Sequence, residues 1–213
     1  MPNLSCQLER VLTPHAHDLL KQASRISADR MVDLYLVGGS VRDILIGTGS
    51  GDIDLAGKGA DADFASFLAS NLGGDVLSHS QFNTSKVKIG KVDIDLAATR
   101  QECYSHPGAL PTVSPGTIEE DLWRRDFSIN AMAIALNAET WGNLLDPFGG
   151  RSDIERGLVR VLHPNSFSDD PTRSLRAIRY SHRLSFRIDP YTETQLEKNV
   201  GQLNTVTGER ICQ

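Results

Sequence analysis

The spacing of apolar residues along the chain predicts a mixture of helices and strands, followed by a region of helices. Apolar positions at helical spacing predict helices over residues 14–30, 41–46, 61–72, 118–123, 151–155, 171–184 and 192–203. Alternating or continuous apolar runs predict strands over residues 34–37, 52–56, 84–89, 91–97 and 131–136. Thr13 before Pro14 is typical of a helix start, and Gly90 lies where two strands would form a tight hairpin.

The sequence of the second half of the chain indicates a loop and a domain boundary. Residues 104–116 are rich in proline and glycine, which predicts an irregular loop. No strand is predicted after about residue 162, so an α+β head is expected to precede an all-helical segment. We place the boundary between a head at residues 1–145 and a helical domain at residues 146–213.

Composition and charge exclude several classes of protein. The chain has 213 residues, of which 39% are hydrophobic and 23% charged, as in ordinary globular proteins. No apolar run approaches the roughly 18 residues of a membrane span, and the first residues do not resemble a signal peptide, so a cytoplasmic protein is expected. The scattered Cys6, Cys103 and Cys212 indicate neither zinc nor a disulfide framework. A net charge of -5 argues against nucleic-acid binding by bulk charge alone.

Three aspartates provide the first candidate chemistry. Asp52 and Asp54 lie one residue apart on a predicted strand, so their carboxylates point to one side and could share metal ions. Asp95, on a strand expected to be adjacent, would complete a two-metal arrangement, and Asp93 competes for that role. The alternative is that these are solvated acids on a strand face.

The segment before these aspartates suggests a phosphate site. An apolar strand runs into a Gly-Gly-Ser turn at the start of a helix, where exposed backbone N–H groups can hold a triphosphate. The residues that would form it are Gly38, Gly39, Ser40, Arg42 and Asp43. A Gly-Gly pair alone is usually a turn, but its order and spacing relative to Asp52 and Asp54 favour the functional interpretation.

A dense charged cluster follows at residues 121–133. Arg124 and Arg125 could contact phosphate, and Asp126 could accept a hydrogen bond from a ribose hydroxyl. Taken alone, the Arg-Arg-Asp sequence is better explained by a surface network of ion pairs.

Four segments in order resemble the signatures of class II CCA-adding enzymes and bacterial poly(A) polymerases. They are Leu-Val-Gly-Gly-Ser-Val-Arg-Asp, Gly-Asp-Ile-Asp-Leu, Arg-Arg-Asp-Phe-Ser-Ile-Asn-Ala-Met-Ala and Asp-Asp-Pro-Thr-Arg-Ser-Leu-Arg-Ala-Ile-Arg-Tyr. The resemblance spans about residues 34–211. It implies a DNA-polymerase-β-like nucleotidyltransferase head with a mixed sheet, followed by an all-helical neck.

The resemblance also implies roles for residues of the first neck helix. Asp170 and Arg173 would read the base edge of the incoming CTP or ATP, although Asp170 before Pro171 is also a natural helix N-cap. The family's usual Glu before this Asp is Asp169 here, which implies an adjusted site. Arg176 and Arg179, with Arg183, would line a flank toward phosphate or solvent.

The activity implied by the resemblance is addition of C and/or A residues to the 3′ end of tRNA. Asp52 and Asp54, with Asp95, would bind two Mg²⁺ ions, and pyrophosphate would leave. A CC-only or A-only enzyme, a poly(A) polymerase, or a non-catalytic nucleotide- or RNA-binding module remain alternatives. Residues 207–211 resemble the family's Glu-Arg motif, and the oligomeric state is left open.

Overall fold

The computed structural model describes residues 2–49, 52–79 and 84–208, and the following elements are those of the described part. The helices are α1 (Ser5–Val11), α2 (Pro14–Asp29), α3 (Gly39–Ile46), α4 (Ala62–Leu72), α5 (Ile118–Trp123), α6 (Gly150–Arg156), α7 (Ser166–Asp169), α8 (Arg173–Leu184) and α9 (Pro190–Asn199). The strands are β1 (Leu34–Val37), β2 (Asp52–Gly57), β3 (Asp75–His79), β4 (Thr84–Ile89), β5 (Val92–Ala98), β6 (Arg100–Cys103), β7 (Thr112–Pro115), β8 (Ala133–Ala135), β9 (Leu144–Leu145), β10 (Leu158–Val159) and β11 (Arg187–Ile188).

A seven-stranded mixed sheet organises the head. Its strand order is β3-β4-β5-β2-β1-β8-β9. Strands β2 and β5 are parallel, with Asp54 opposite Asp95, and the other neighbouring pairs in this sheet are antiparallel. The predicted hairpin of β4 and β5 is confirmed, with Gly90 at a positive φ of 59° in the connecting turn. The mixed α+β head predicted from the sequence is therefore confirmed.

The two faces of this sheet differ in chemistry because side chains alternate along each strand. Ile53, Leu55 and Ile94 point into the main hydrophobic core, which they share with apolar residues of α2 and α4. Ala56 on the other face packs with Leu122 of α5 in a smaller cluster. The aspartates of β2 and β5 share that second face, which α5 covers only in part.

The segment after the head is mainly helical but contains one more strand pair. Strands β10 and β11 pair in parallel, and the amide of Arg187 donates to the carbonyl of Gly157. The expectation that strands end by about residue 162 was therefore wrong, because a two-residue strand leaves no periodic pattern. Phe127 of the head packs with Phe167 and Ala177, so the two regions share a hydrophobic cluster.

Several element boundaries agree with the predictions and others do not. Thr13 caps α2 by accepting the amide of Ala16, as expected. The predicted loop over residues 104–116 instead contains β7, which pairs with β6; Pro111 lies just before this strand and Pro115 at its end, where proline is tolerated. The helix predicted over residues 192–203 begins earlier, at Pro190, and continues after Asn199 as a 3₁₀ turn.

Some predictions concern features that the fold does not test. Gly51 and the Glu-Arg motif at Glu209 and Arg210 lie outside the described residues. The boundary between residues 1–145 and 146–213 remains a prediction. Within the described ranges, no helix has the length and apolar character needed to cross a membrane.

Candidate active site

The three aspartates predicted to bind metal line one cleft of about 830 Å³ on the exposed sheet face. Asp52 and Asp54 come from β2, and Asp95 is the direct partner of Asp54 on the parallel strand β5. Burial raises the pKa of Asp54, and the neighbouring carboxylates of Asp95 and Asp52 raise it further, while Arg125 opposes the shift. A site that crowds negative charge in this way favours a bound cation.

Asp93 lies on β5 two residues before Asp95, opposite Asp52. Its side chain is on the same sheet face but does not line the cleft. Its Oδ1 atom is buried without a hydrogen-bond partner in the described part of the chain. Between the two alternatives left open by the sequence, the geometry favours Asp95 as the third carboxylate.

The turn between β1 and α3 forms the wall of the cleft beside Asp54. Gly38 has φ +67°, a backbone conformation that favours glycine, and a Cβ there would lie 2.6 Å from Nη1 of Arg125, whose side chain would have to shift. In α3, the helical hydrogen bonds begin at Arg42, whose amide donates to the carbonyl oxygen of Gly38. The amides of Gly39 and Ser40 precede it at the helix N-terminus, where anions bind.

Ser40 fastens this turn to the carboxylate strand. Its hydroxyl oxygen lies 3.0 Å from the carbonyl oxygen of Asp52 and 3.3 Å from Oδ2 of Asp54, and it accepts the amide of Asp54. Predicted as a phosphate ligand, the Ser40 hydroxyl is thus engaged in positioning Asp54. We call the turn of Gly38, Gly39 and Ser40 the phosphate cradle, and this contact fixes its position relative to the carboxylates.

Arg42 and Asp43 form a pair behind the cradle. The side chain of Arg42 is 3% exposed; it donates to Oδ1 of Asp43 and to Oδ1 of Asn130. Both residues line the cleft, as does Arg183 of α8, which lies 4.0 Å from Asp43. Asn130 was not singled out from the sequence, where it reads as a core position.

The Arg-Arg-Asp segment forms the ion-pair network that was the alternative to a phosphate site. Asp121 accepts from both Arg124 and Arg125, and Glu102 accepts from Arg124 and Arg100. These arginines hold the pKa of Asp121 below its usual range although burial alone would raise it. The network does not exclude a ligand role, because Arg125 lines the cleft and its buried Nε has no partner among the described residues.

Asp126 is held by the neck in this structure. Its buried carboxylate accepts from the amide of Phe127 and from Asn130 through Oδ1, and from Nε and Nη2 of Arg176 through Oδ2. Burial would raise the pKa of Asp126, but Arg176 and Asn130 hold it below its usual value. A ribose contact at Asp126, as predicted, therefore requires Arg176 to move.

The two residues predicted to select the base lie at the neck side of the cleft. Oδ1 of Asp170 accepts from the amide and hydroxyl of Thr172, at 3.1 and 2.7 Å. Helix α8 begins at Arg173 with Thr172 at its N-cap, so Asp170 shapes the preceding turn and is not the cap expected from the sequence. Arg179 lines the same cleft with Arg176.

Arg173 is 5% exposed and bridges neck and head. Its Nη1 donates to Ser166, and its Nη2 donates to the carbonyl oxygen of Arg124. Tyr104 was not predicted as a site residue because it lies in the segment predicted to be a loop. It lines the same part of the cleft and donates to Glu102. Burial, with Glu102, raises the pKa of Tyr104.

The donor set fits Mg²⁺ on chemical grounds. In the parts of the chain that the structure describes, no three His, Cys, Asp or Glu side chains are grouped closely enough to hold an ion by themselves. Mg²⁺ is usually bound through one or two carboxylates with water and substrate phosphates, and does not need a complete protein cage. Asp52 and Asp54, beside a phosphate cradle, provide that partial set.

His163 is a partly buried titratable group at the junction of head and neck. Its ring lies 5.0 Å from the ring of Trp123, and its Nδ1 lies 3.9 Å from the Asp169 carboxylate. Burial, with a smaller effect from Arg173, lowers the pKa of His163 to about 4. The Asp169 carboxylate is too far away for a hydrogen bond and does not offset this shift.

His163 should therefore make the fold sensitive to acid. The unfolded chain takes up this proton near pH 6.5 and the folded chain only near pH 4, so stability falls as pH drops through that window. His163→Asn should remove about 1–2 kcal/mol of that loss, less than full burial would imply because the ring is partly hydrated. Melting temperatures measured from pH 7 to 4.5 test this, with exposed His106→Asn as control. Parallel curves for the wild type and His163→Asn would contradict it.

The poly(A) polymerase head domain family matches residues 34–160, which is more than half of the chain. The chain belongs to this family. It is 44% identical over 191 residues to the A-adding tRNA nucleotidyltransferase of Halalkalibacterium halodurans, covering 89% of this chain and 45% of that protein. It is 37% identical to the CC-adding tRNA nucleotidyltransferase of Deinococcus radiodurans, covering 84% of this chain and 48% of the relative.

A solved structure supports the same assignment of fold. An apo form of a CCA-adding enzyme superposes with a TM-score of 0.93 at 39% identity, covering 99% of this chain and 50% of the other. The chain therefore spans about half the length of these relatives. The recognised family and nucleotidyltransferase head fold agree with the resemblance stated from the sequence motifs.

Proposed function

We propose that the chain is the catalytic part of a metal-dependent RNA nucleotidyltransferase that adds C and/or A residues to the 3′ end of tRNA. The observation that carries this proposal is the row of Asp52, Asp54 and Asp95, which lies beside the Gly38–Gly39 turn in one cleft. The relatives named above are tRNA nucleotidyltransferases, which supports tRNA as the substrate class. The cytoplasm, where tRNA is matured in bacteria, remains the predicted location.

The residues of the cleft divide the work of binding a nucleoside triphosphate. The N-terminal amides of α3 and the guanidinium of Arg125 would hold the phosphates, since both present N–H donors to an anion. Ser40 keeps Asp54 in place beside them. Asp52 and Asp54 would hold Mg²⁺, with Asp95 completing a two-ion site. Bound Mg²⁺ supplies charge neutralisation for the phosphates and lowers the pKa of the attacking 3′-hydroxyl.

We assign selection of the base to Asp170 and Arg173, which line the neck side of the cleft. Asp170 can accept hydrogen bonds and the Arg173 guanidinium can donate them, so together they complement the edge of a base. Arg173 is held at Ser166 and at the backbone of Arg124, which fixes its position before a nucleotide arrives. A fixed reading group of this kind favours one base by geometry.

Addition of A alone is the second candidate for this site. The A-adding relative is 44% identical to the chain, whereas the CC-adding relative is 37% identical. A non-catalytic binding module is less consistent with the structure, because a cleft without chemistry has no need to crowd Asp52, Asp54 and Asp95. Incubation with tRNA lacking its 3′ end, with ATP or CTP separately, and sequencing of the products would distinguish these activities.

Asp170→Ala should change the ratio of CTP to ATP incorporation by about tenfold, the effect of losing a good base contact. Arg173→Lys should change it in the same experiment, because lysine keeps the charge and loses the paired donors. Lysine is preferred here to alanine, which would leave Ser166 and the Arg124 carbonyl without their donor. The measurement is kcat/KM for each nucleotide.

The matched control for Asp170 is Thr172→Ala. It removes the hydroxyl that Asp170 accepts from but leaves the carboxylate in place. It should lower the melting temperature slightly and leave nucleotide choice unchanged. If Asp170→Ala shows the same pattern as Thr172→Ala, Asp170 only shapes the turn before α8.

A further inference from the structure

Two lysines of β4 lie on the carboxylate face of the sheet. Lys86 is the cross-strand partner of Asp95, and Lys88 is the partner of Asp93. Directly opposed residues of antiparallel strands project to the same face, so both lysines share the face that bears the catalytic carboxylates. Val87 between them is buried in the opposite core, which confirms this orientation.

Both lysines are available to bind an anion. Lys86 and Lys88 are exposed, and in the described part of the chain neither forms an ion pair within 4.0 Å. Thr84, two residues before Lys86 on the same face, lines the cleft. Lys86 and Lys88 therefore continue along β4 from Thr84, beyond the residues that line the cleft. Their cross-strand neighbours include Asp95 for Lys86, and Asp93 and Asp75 for Lys88, but no carboxylate of the described residues lies within 4.0 Å of either ammonium group.

The sheet order places the lysines on the far side of the carboxylates from the phosphate cradle. The cradle follows β1, the carboxylates lie on β2 and β5, and the lysines lie on β4, in the order β4-β5-β2-β1. In phosphoryl transfer the attacking and leaving oxygens are roughly in line through the phosphorus. If pyrophosphate leaves toward the cradle, the RNA whose 3′-hydroxyl attacks must approach from the side of β5 and β4.

We propose that Lys86 and Lys88 bind the phosphodiester backbone of the RNA strand that accepts the new nucleotide. This inference rests on the proposed function, since it places the second substrate in the same cleft. Two flexible ammonium groups suit this task because they neutralise successive phosphates without reading the bases. They also supply local positive charge that a chain of net charge -5 needs to hold RNA.

The test is the double variant Lys86→Ala/Lys88→Ala in the full chain. The RNA probe is a fluorophore-labelled acceptor-stem minihelix that lacks its terminal nucleotide. Its Kd, measured by anisotropy without nucleotide, and its KM, measured at saturating ATP, should each rise by about tenfold. The KM for ATP should stay within about twofold. The slope of log affinity against log salt should become shallower by about 1.4, from two contacts at about 0.7 each for single-stranded RNA.

A matched control removes the same charge elsewhere. Lys58→Ala/Lys198→Ala replaces two exposed lysines that lie outside β4 and should leave the RNA affinity and salt slope near wild type. Lys86→Arg/Lys88→Arg, which keeps both charges, should restore binding. These two results together would exclude a general effect of net charge or of strand stability.

The outcomes separate this inference from the proposed function. A wild-type chain that binds the minihelix but adds neither A to it nor C to a minihelix lacking all three terminal nucleotides would count against the proposed function, and the anisotropy comparison would still test the lysines. An active wild-type chain whose RNA Kd and salt slope are unchanged by Lys86→Ala/Lys88→Ala would overturn only the inference. Failure of the wild-type chain to bind the minihelix would overturn it as well.

Discussion

Asp54→Asn should abolish nucleotide addition while the protein becomes no less stable. Loss of a metal ligand should cost more than about a hundredfold in kcat, since even the partners of ligands contribute 10- to 100-fold. Burial and the carboxylates of Asp95 and Asp52 raise the pKa of Asp54, so its charged form costs free energy of folding at neutral pH. The neutral amide should therefore hold or raise the melting temperature. Single-turnover kinetics and thermal unfolding measure both effects.

Asp93→Asn is the matched control for this experiment. Asp93 lies on the same sheet face, opposite Asp52, but outside the cleft, and should retain activity within a few-fold. Asp95→Asn should behave like Asp54→Asn. If Asp93→Asn is inactive and Asp95→Asn is active, the third carboxylate has been assigned to the wrong residue.

Arg176→Ala should lower stability by about 2 kcal/mol at pH 7, which corresponds to roughly 4–8 °C in melting temperature. The change leaves the buried Asp126 carboxylate without its bidentate partner. The expected loss is smaller than that for a fully buried pair because the Arg176 side chain is 45% exposed. Because the folded-state pKa of Asp126 is lowered, the wild-type advantage should be present at neutral pH and disappear as pH falls below about 4.

Arg183→Ala on the same helix provides the comparison. Arg183 is 60% exposed and lies 4.0 Å from Asp43, so its removal should change stability by less than about 0.5 kcal/mol. Equal destabilisation by the two variants would show that helix α8 depends on its total charge. A neutral effect of Arg176→Ala would mean that the Asp126 contact contributes nothing to joining neck and head.

The sequence predicted the parts of the cleft that depend on local spacing. Alternation along a strand placed Asp52 and Asp54 on one face, and the turn chemistry of Gly38 and Gly39 predicted the start of α3. The expectation that the strand bearing Asp95 lies beside the strand bearing Asp52 and Asp54 is confirmed. The first two features follow from side-chain periodicity and turn chemistry within single elements, which need no knowledge of the distant packing.

The contacts between distant elements could not be predicted in the same way. Arg176 and Asp126 meet because a neck helix packs on the head, and nothing in their spacing specifies this. Tyr104 and Glu102 enter the cleft through the β6–β7 pair, which the prolines of the segment concealed. In this structure Asp126 accepts from Arg176, and its contact with a ribose remains a prediction.

The parallel pairing of β2 with β5 has a consequence for how the protein folds. Antiparallel β4 and β5 can pair across a tight turn, whereas β2 must wait until α4, β3 and β4 have been arranged between it and β5. Contacts between residues far apart in sequence form slowly because loop closure precedes their gain. The register that sets Asp54 beside Asp95 should therefore form late, after the β4–β5 hairpin. In partly folded chains, Asp95 would not yet lie beside Asp54, so these chains would have no complete catalytic centre.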